Sequence, residues 1–109
     1  MATSATPTQT FVVYAPDADG ADCTEFRPQH LANAARLHAS GALCLGGAML
    51  SPESAAGGEP KIVGSLVIFQ AESLEALRAE LENEIYYKAG VWDREKLVIL
   101  PFMAVTPFP

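Results

Sequence analysis

The sequence predicts an α+β fold: an antiparallel sheet with two helices on one face, in the order β-α-β-β-α-β. Three observations predict it. β-branched and aromatic runs recur along the chain, two stretches with helical spacing separate them, and glycine, proline and serine mark the junctions. The 109 residues suit one domain, expected over residues 10–109 behind a flexible tail at 1–9.

Phe11-Val12-Val13-Tyr14 reads as the first strand, and Pro16, Asp17, Asp19 and Gly20 as the loop after it. Thr24 is a candidate cap, and Pro28 fits a first helical turn, where its missing N–H costs nothing. From Pro28 to Ser40, Leu31, Ala34, Ala35 and His38 fall at i, i+3, i+4 and i+7, so they are expected to form the buried stripe of a helix. Gly41 is placed to end it, because glycine enters the left-handed region without steric cost. Ala42 to Leu50 reads as a second strand, where Gly46 and Gly47 suggest a bulge or a close approach to the backbone.

Ser51 to Pro60 is expected to be a polar loop. Ile62 to Ala71 is the strongest strand signal, apolar on both faces, with Ser65 on the side of Val63, Val67 and Phe69. Such a strand should be central and covered twice. Ser73 is a good N-cap for a helix whose stripe is Leu74, Leu77 and Leu81. Ile85 to Trp92 reads as an irregular passage rich in aromatics. Leu97 to Val105 reads as the last strand, with Pro101 marking an edge or a bulge.

The chain is 50% hydrophobic and 18% charged, with a net charge of −6. That is too apolar for a disordered segment, and too acidic for a general binder of nucleic acid or anionic membrane. No apolar run reaches the roughly 18–20 residues of a membrane span. Met1 to Thr10 has neither the basic and apolar regions of a secretory signal nor the arginines of a transit peptide. Cys23 and Cys44 make neither a CxxC pair nor a disulfide framework, and read as free thiols in a reducing, cytoplasmic compartment. Two histidines without a cysteine cluster argue against structural zinc, and no cofactor or metal is expected. Two helices cover only one face of a four-stranded sheet. The other face is expected to meet a second copy of the chain about a two-fold axis, making a homodimer.

Two places could carry chemistry. Arg27 and His30 are three apart at the start of the first helix and share a face. The passage Glu84-Ile85-Tyr86-Tyr87-Lys88-Ala89-Gly90-Val91-Trp92 could wall a flat aromatic or polyketide-like ligand. Glu84 falls at a helix end, where the dipole disfavours an anion, so its carboxylate is a candidate for holding a histidine.

Arg27-Pro28-Gln29-His30-Leu31, Leu37-His38, Gly41, Gly47-Ala48-Met49, Gly64-Ser65, Tyr86, Ala89-Gly90-Val91 and Pro101-Phe102 form an ordered set that resembles the YCII-related (YciI-like) family, over about Phe11 to Phe102. The resemblance implies a ferredoxin-like fold that dimerises into an α+β barrel. It also implies a cleft with a histidine, an aspartate, an arginine and a serine. His30 matches the histidine, Arg27 the arginine and Ser65 the serine. The family's Asp-Pro pair falls on Glu84-Ile85, and its Gly-Pro on Gly47-Ala48. At least one group in the family removes chloride from a hydroxylated aromatic with its histidine and aspartate.

The combined expectation is a cofactor-free lyase or isomerase acting on a small hydroxylated aromatic or polyketide-like metabolite. His30 would be the general acid/base, Glu84 its orienting partner, and Arg27, Ser65, Tyr86, Tyr87 and Trp92 the substrate-binding groups. A related dimeric-barrel enzyme that oxidises or decarboxylates aromatic polyketides is a further expectation. The alternative is a dimeric module that binds a metabolite, or only builds structure, without turnover.

Overall fold

The structure is a computed structural model and describes residues 8–106. Its elements are β1 (Gln9–Pro16), α1 (Arg27–Ala39), β2 (Leu43–Leu50), α2 (Pro52–Ala55), β3 (Ile62–Ala71), α3 (Leu74–Glu82), α4 (Ile85–Lys88) and β4 (Val98–Pro101). The four strands form one sheet in the order β2-β3-β1-β4, and every neighbouring pair is antiparallel. The expected α+β fold is therefore present. β3 lies between β1 and β2, which is the split βαβ arrangement.

Alternation decides the two faces of the sheet. Phe11, Val13 and Ala15 point to the helical side and pair with Phe69, Val67 and Ser65. They form the core with Leu37 of α1, and with Leu77 and Leu81 of α3. Burying one such leucine stabilises the fold by about 1.5–3 kcal/mol. On the opposite face Tyr14 stands between Leu66 and Val98, and Val12 between Ile68 and Leu100. Leu66 is 41% exposed and Leu100 54%. The expectation that β3 is covered twice is thus corrected for the single chain: one face is under helices, and the other is an apolar surface.

Several boundaries also differ. β1 starts at Gln9 and runs to Pro16, because pairing with β3 continues past the apolar run. Of the expected tail at 1–9, residues 1–7 lie outside the described residues. α1 starts at Arg27, and Phe26, not Thr24, is its N-cap. Gly41 does follow α1 in the left-handed region, at φ 87°. The first irregularity of β2 falls between Leu43 and Leu45, not at Gly46-Gly47. The loop after β2 contains the four-residue helix α2, and the aromatic passage contains α4. Ser73 caps α3 by accepting from the Ala76 N–H at 3.0 Å. β4 ends at Pro101, on an edge strand as expected, and does not continue to Val105.

Candidate functional site

The face that α1 buries differs from the expected one. Leu31 is 54% exposed and His38 is also exposed, whereas His30, Asn33 and Ala34 are half-buried and Leu37 is buried. The inward stripe is therefore His30-Asn33-Ala34-Leu37, rotated by one residue, or about 100° around the axis. This rotation carries His30 inward, towards α4.

α4 brings the aromatic residues to meet it. α3 ends at Asn83, and Glu84 is at once the N-cap of α4. Glu84 thus stands just past the end of α3, as expected, and its side chain makes no capping bond to α4. Gly90, at φ 76°, turns the chain back so that the N–H groups of Val91 and Trp92 both donate to the Tyr86 carbonyl, at 2.9 and 3.1 Å. Asp93 N–H then donates to Pro16 O at 2.8 Å, which pins this turn to the end of β1.

These connections assemble a polar cluster in an aromatic setting. His30 Nδ1 is hydrogen-bonded to Glu84 Oε1. With an ionised carboxylate and a neutral ring, this bond carries its proton on Nδ1 and leaves Nε2 as the ring's acceptor. The His30 side chain is 20% exposed and that of Glu84 only 7%. Asn33 Nδ2 donates to Glu84 Oε2 at 2.5 Å. The imidazole stacks on Tyr86, with ring centroids 3.8 Å apart and planes within 8°. Trp92 meets both rings edge-on and donates through Nε1 to Ser65 Oγ at 3.4 Å.

Burial pushes the Tyr86 phenol above its ordinary range, and Cys23 beside its hydroxyl adds to this. Tyr86 is therefore a neutral platform and not a base. Burial also raises the Asp17 carboxyl, an effect that the nearby His30 opposes. Among the described residues, no group of three or more His, Cys, Asp or Glu is placed to hold a metal ion. Both cysteines are free and half-buried.

A cavity of about 380 Å³ opens beside this cluster. Arg27, His30, Ser65, Glu84, Tyr86 and Trp92 all line it. Tyr87 does not. Adjacent helical residues point about 100° apart, and the Tyr87 ring lies under the Arg94 guanidinium, 4.7 Å away. Tyr87 thus stands apart from the expected residues that meet at this cavity.

Asn33 and Asp17 join the cluster in addition to the expected residues. Asn33 is three residues after His30, the same spacing that paired Arg27 with His30, so a signal existed for it. Asp17 carried none, since only the β1 terminus brings it near.

Comparisons with known proteins agree with this architecture. The model of the YCII-related domain matches residues 10–102. Protein YciI of Escherichia coli O6:H1 is 38% identical over 99 residues, covering 87% of this chain and 97% of its own length. Fusaric acid biosynthesis protein 2 of Gibberella fujikuroi is 36% identical over 73 residues, covering 67% of this chain and 70% of its own. Among solved structures, 5-chloro-2-hydroxyhydroquinone dehydrochlorinase from Burkholderia phenoliruptrix, in complex with 2,5-dihydroxybenzoquinone, superposes with a TM-score of 0.64. It is 23% identical and covers 86% of this chain and 93% of its own. That likeness is one of fold.

Proposed function

The chain belongs to the YCII-related domain family, and on that footing we propose that it is a cofactor-free lyase or isomerase acting on a hydroxylated aromatic or polyketide-like metabolite. The observation that carries this reading is the His30–Glu84 pair, stacked on Tyr86 at the wall of a cavity.

His30 Nε2 takes a proton from a carbon made acidic by a neighbouring carbonyl or phenol. The C–H electron pair moves into an enolate, whose oxygen is held by Arg27 and the Ser65 hydroxyl. Trp92 donates to Ser65, so the serine O–H remains free to donate to the substrate. Glu84 keeps the proton on Nδ1 and stabilises the imidazolium that forms. In an elimination the electron pair then expels the leaving group; in an isomerisation His30 returns the proton to another carbon.

Two similar proteins support the reading as an enzyme: the structural neighbour is a dehydrochlorinase of 5-chloro-2-hydroxyhydroquinone in complex with 2,5-dihydroxybenzoquinone, and one relative is a biosynthesis protein. The replacement of Asp-Pro by Glu84-Ile85 leaves the acid–histidine contact in place, since the longer side chain reaches Nδ1. This favours catalysis over a purely binding module.

The working unit in this reading is a cytoplasmic homodimer joined through the open sheet face, which supplies the apolar surface such an interface needs. Incubation with a panel of chlorinated and hydroxylated quinols, followed by mass spectrometry, tests the activity. Turnover is expected for the wild type, with a loss of at least a hundredfold in His30→Ala. Unchanged turnover in that variant refutes the role of His30.

A further inference from the structure

We infer that the cavity takes a substrate with a polar ring at one end and an apolar arm at the other, the arm lying between α1 and the β2–β3 ladder. This rests on the reading of His30 and Glu84 as the end where the proton moves, and it extends that reading to the rest of the substrate.

The first observation is size. A cavity of about 150 Å³ already accepts a benzene ring, and this one is about 380 Å³. A single hydroxylated ring beside His30 leaves more than half of it empty.

The second is the distribution of polarity. Arg27, His30, Ser65 and Trp92 lie at one end. Beyond Ser65, the same face of β3 continues through Val67 to Phe69, about 13 Å along the strand. Gly46 and Leu43 of β2 pair with those two residues. Above them α1 places Ala34 and Leu37, one and two turns past His30. All of these residues line the cavity. Of the remaining polar lining groups, Asn33, Glu84 and Tyr86 belong to the His30 cluster, Glu80 is paired with Arg36 at 3.5 Å, and His38 is exposed to solvent.

The third observation is the glycine at position 46. Its φ is not positive, so the backbone does not require glycine there. A Cβ at this position would meet Leu43 Cδ2 and Val67 Cγ1 at 3.4 Å, inside the apolar half of the cavity. Gly46 and Ala34 together keep that half open. Water in such a space finds few partners, whereas each methylene transferred into it strengthens binding by about three- to fourfold.

The test uses 5-alkylresorcinols, from methyl to heptyl, titrated into the intact protein and followed by fluorescence. Trp92 is the chain's single tryptophan, and it lines the polar end. Affinity is expected to climb about three- to fourfold per methylene and then level off as the arm reaches Phe69. Ala34→Leu and Gly46→Ala should bring that plateau to shorter arms while leaving the methyl compound unaffected. Gly46→Ala adds one methyl group at contact distance, so it guards against a folding failure in the larger variant. Equal affinity across the series, no binding of any member by folded protein, or variants that track the wild type would each overturn the inference. The proton-transfer reading is tested separately, by the ligand-free tautomer of His30. A flat series with an Nδ1–H tautomer removes only the apolar arm. A rising series with an Nε2–H tautomer keeps the arm and removes the proton-transfer role.

Discussion

Asn33 donates to the Glu84 carboxylate oxygen that His30 leaves free. Its amide can point only one way. Arg36 donates to Asn33 Oδ1 at 2.7 Å, and a guanidinium cannot accept, so Nδ2 must face Glu84. Glu84 is thereby held from both sides, and Asn33 is a positioning residue one step behind the histidine.

Removing that support should loosen the carboxylate without removing it. In Asn33→Ala, turnover is expected to fall by about tenfold or more, because orientation and not chemistry is lost. The protein should also lose about 1–3 kcal/mol for the buried oxygen left without a partner. Urea unfolding measures the second effect. A variant as stable and as active as the wild type would show that Asn33 positions nothing.

Glu84→Gln makes a sharper prediction. Asn33 still offers an N–H, so the glutamine carbonyl should turn to it and present the glutamine NH2 to His30. The imidazole must then accept at Nδ1 and carry its proton on Nε2. Nitrogen-15 shifts of neutral His30 are expected to report Nδ1–H in the wild type and Nε2–H in the variant, with turnover lost because the base is blocked. An unchanged tautomer contradicts this account of the pair.

The open sheet face predicts the oligomeric state. Light scattering should give twice the chain mass of 11.6 kDa. Leu66→Lys combined with Leu100→Lys should halve it, since two cations would enter an apolar seam. A wild-type monomer removes the dimer from the proposal.

Asp17 sets a pH dependence of stability. Burial raises its carboxyl above the ordinary 3.8, so the native state binds this proton more tightly than the unfolded chain does. The ionised form therefore costs stability at neutral pH, and that cost disappears as pH falls through the carboxylate range. Asp17→Asn should melt above the wild type at pH 7, with the gap closing as pH falls through the carboxylate range. An equal gap throughout indicates that the ionisation of Asp17 is not its cause.

Much of this protein was legible in the order of its residues. Ser73 marked a helix start, because its hydroxyl can accept from the backbone two or three residues on. Ile62 to Ala71 marked a strand, because a run this rich in β-branched and other apolar residues suits a pleated, buried surface. Gly41 marked a stop, and the family blocks gathered His30, Arg27 and Ser65. These features are local or depend on spacing, and the sequence by itself determined them.

The α1 stripe was not legible in the same way. The set Leu31, Ala34, Ala35 and His38 is as periodic as His30, Asn33, Ala34 and Leu37, and periodicity cannot choose between faces one residue apart. The neighbours chose. Glu84 and Tyr86 offer a carboxylate and a ring that reward turning His30 inward, and Leu31 is left partly in water as a consequence. The direction of Tyr87 was likewise settled by α4, a four-residue helix with too short a run to announce itself in the sequence. Hydrophobic pattern and turn chemistry determined which elements form. Only packing between residues 54 apart in sequence, such as His30 and Glu84, decided which side chains share the cavity, because that contact exists only once the sheet has closed.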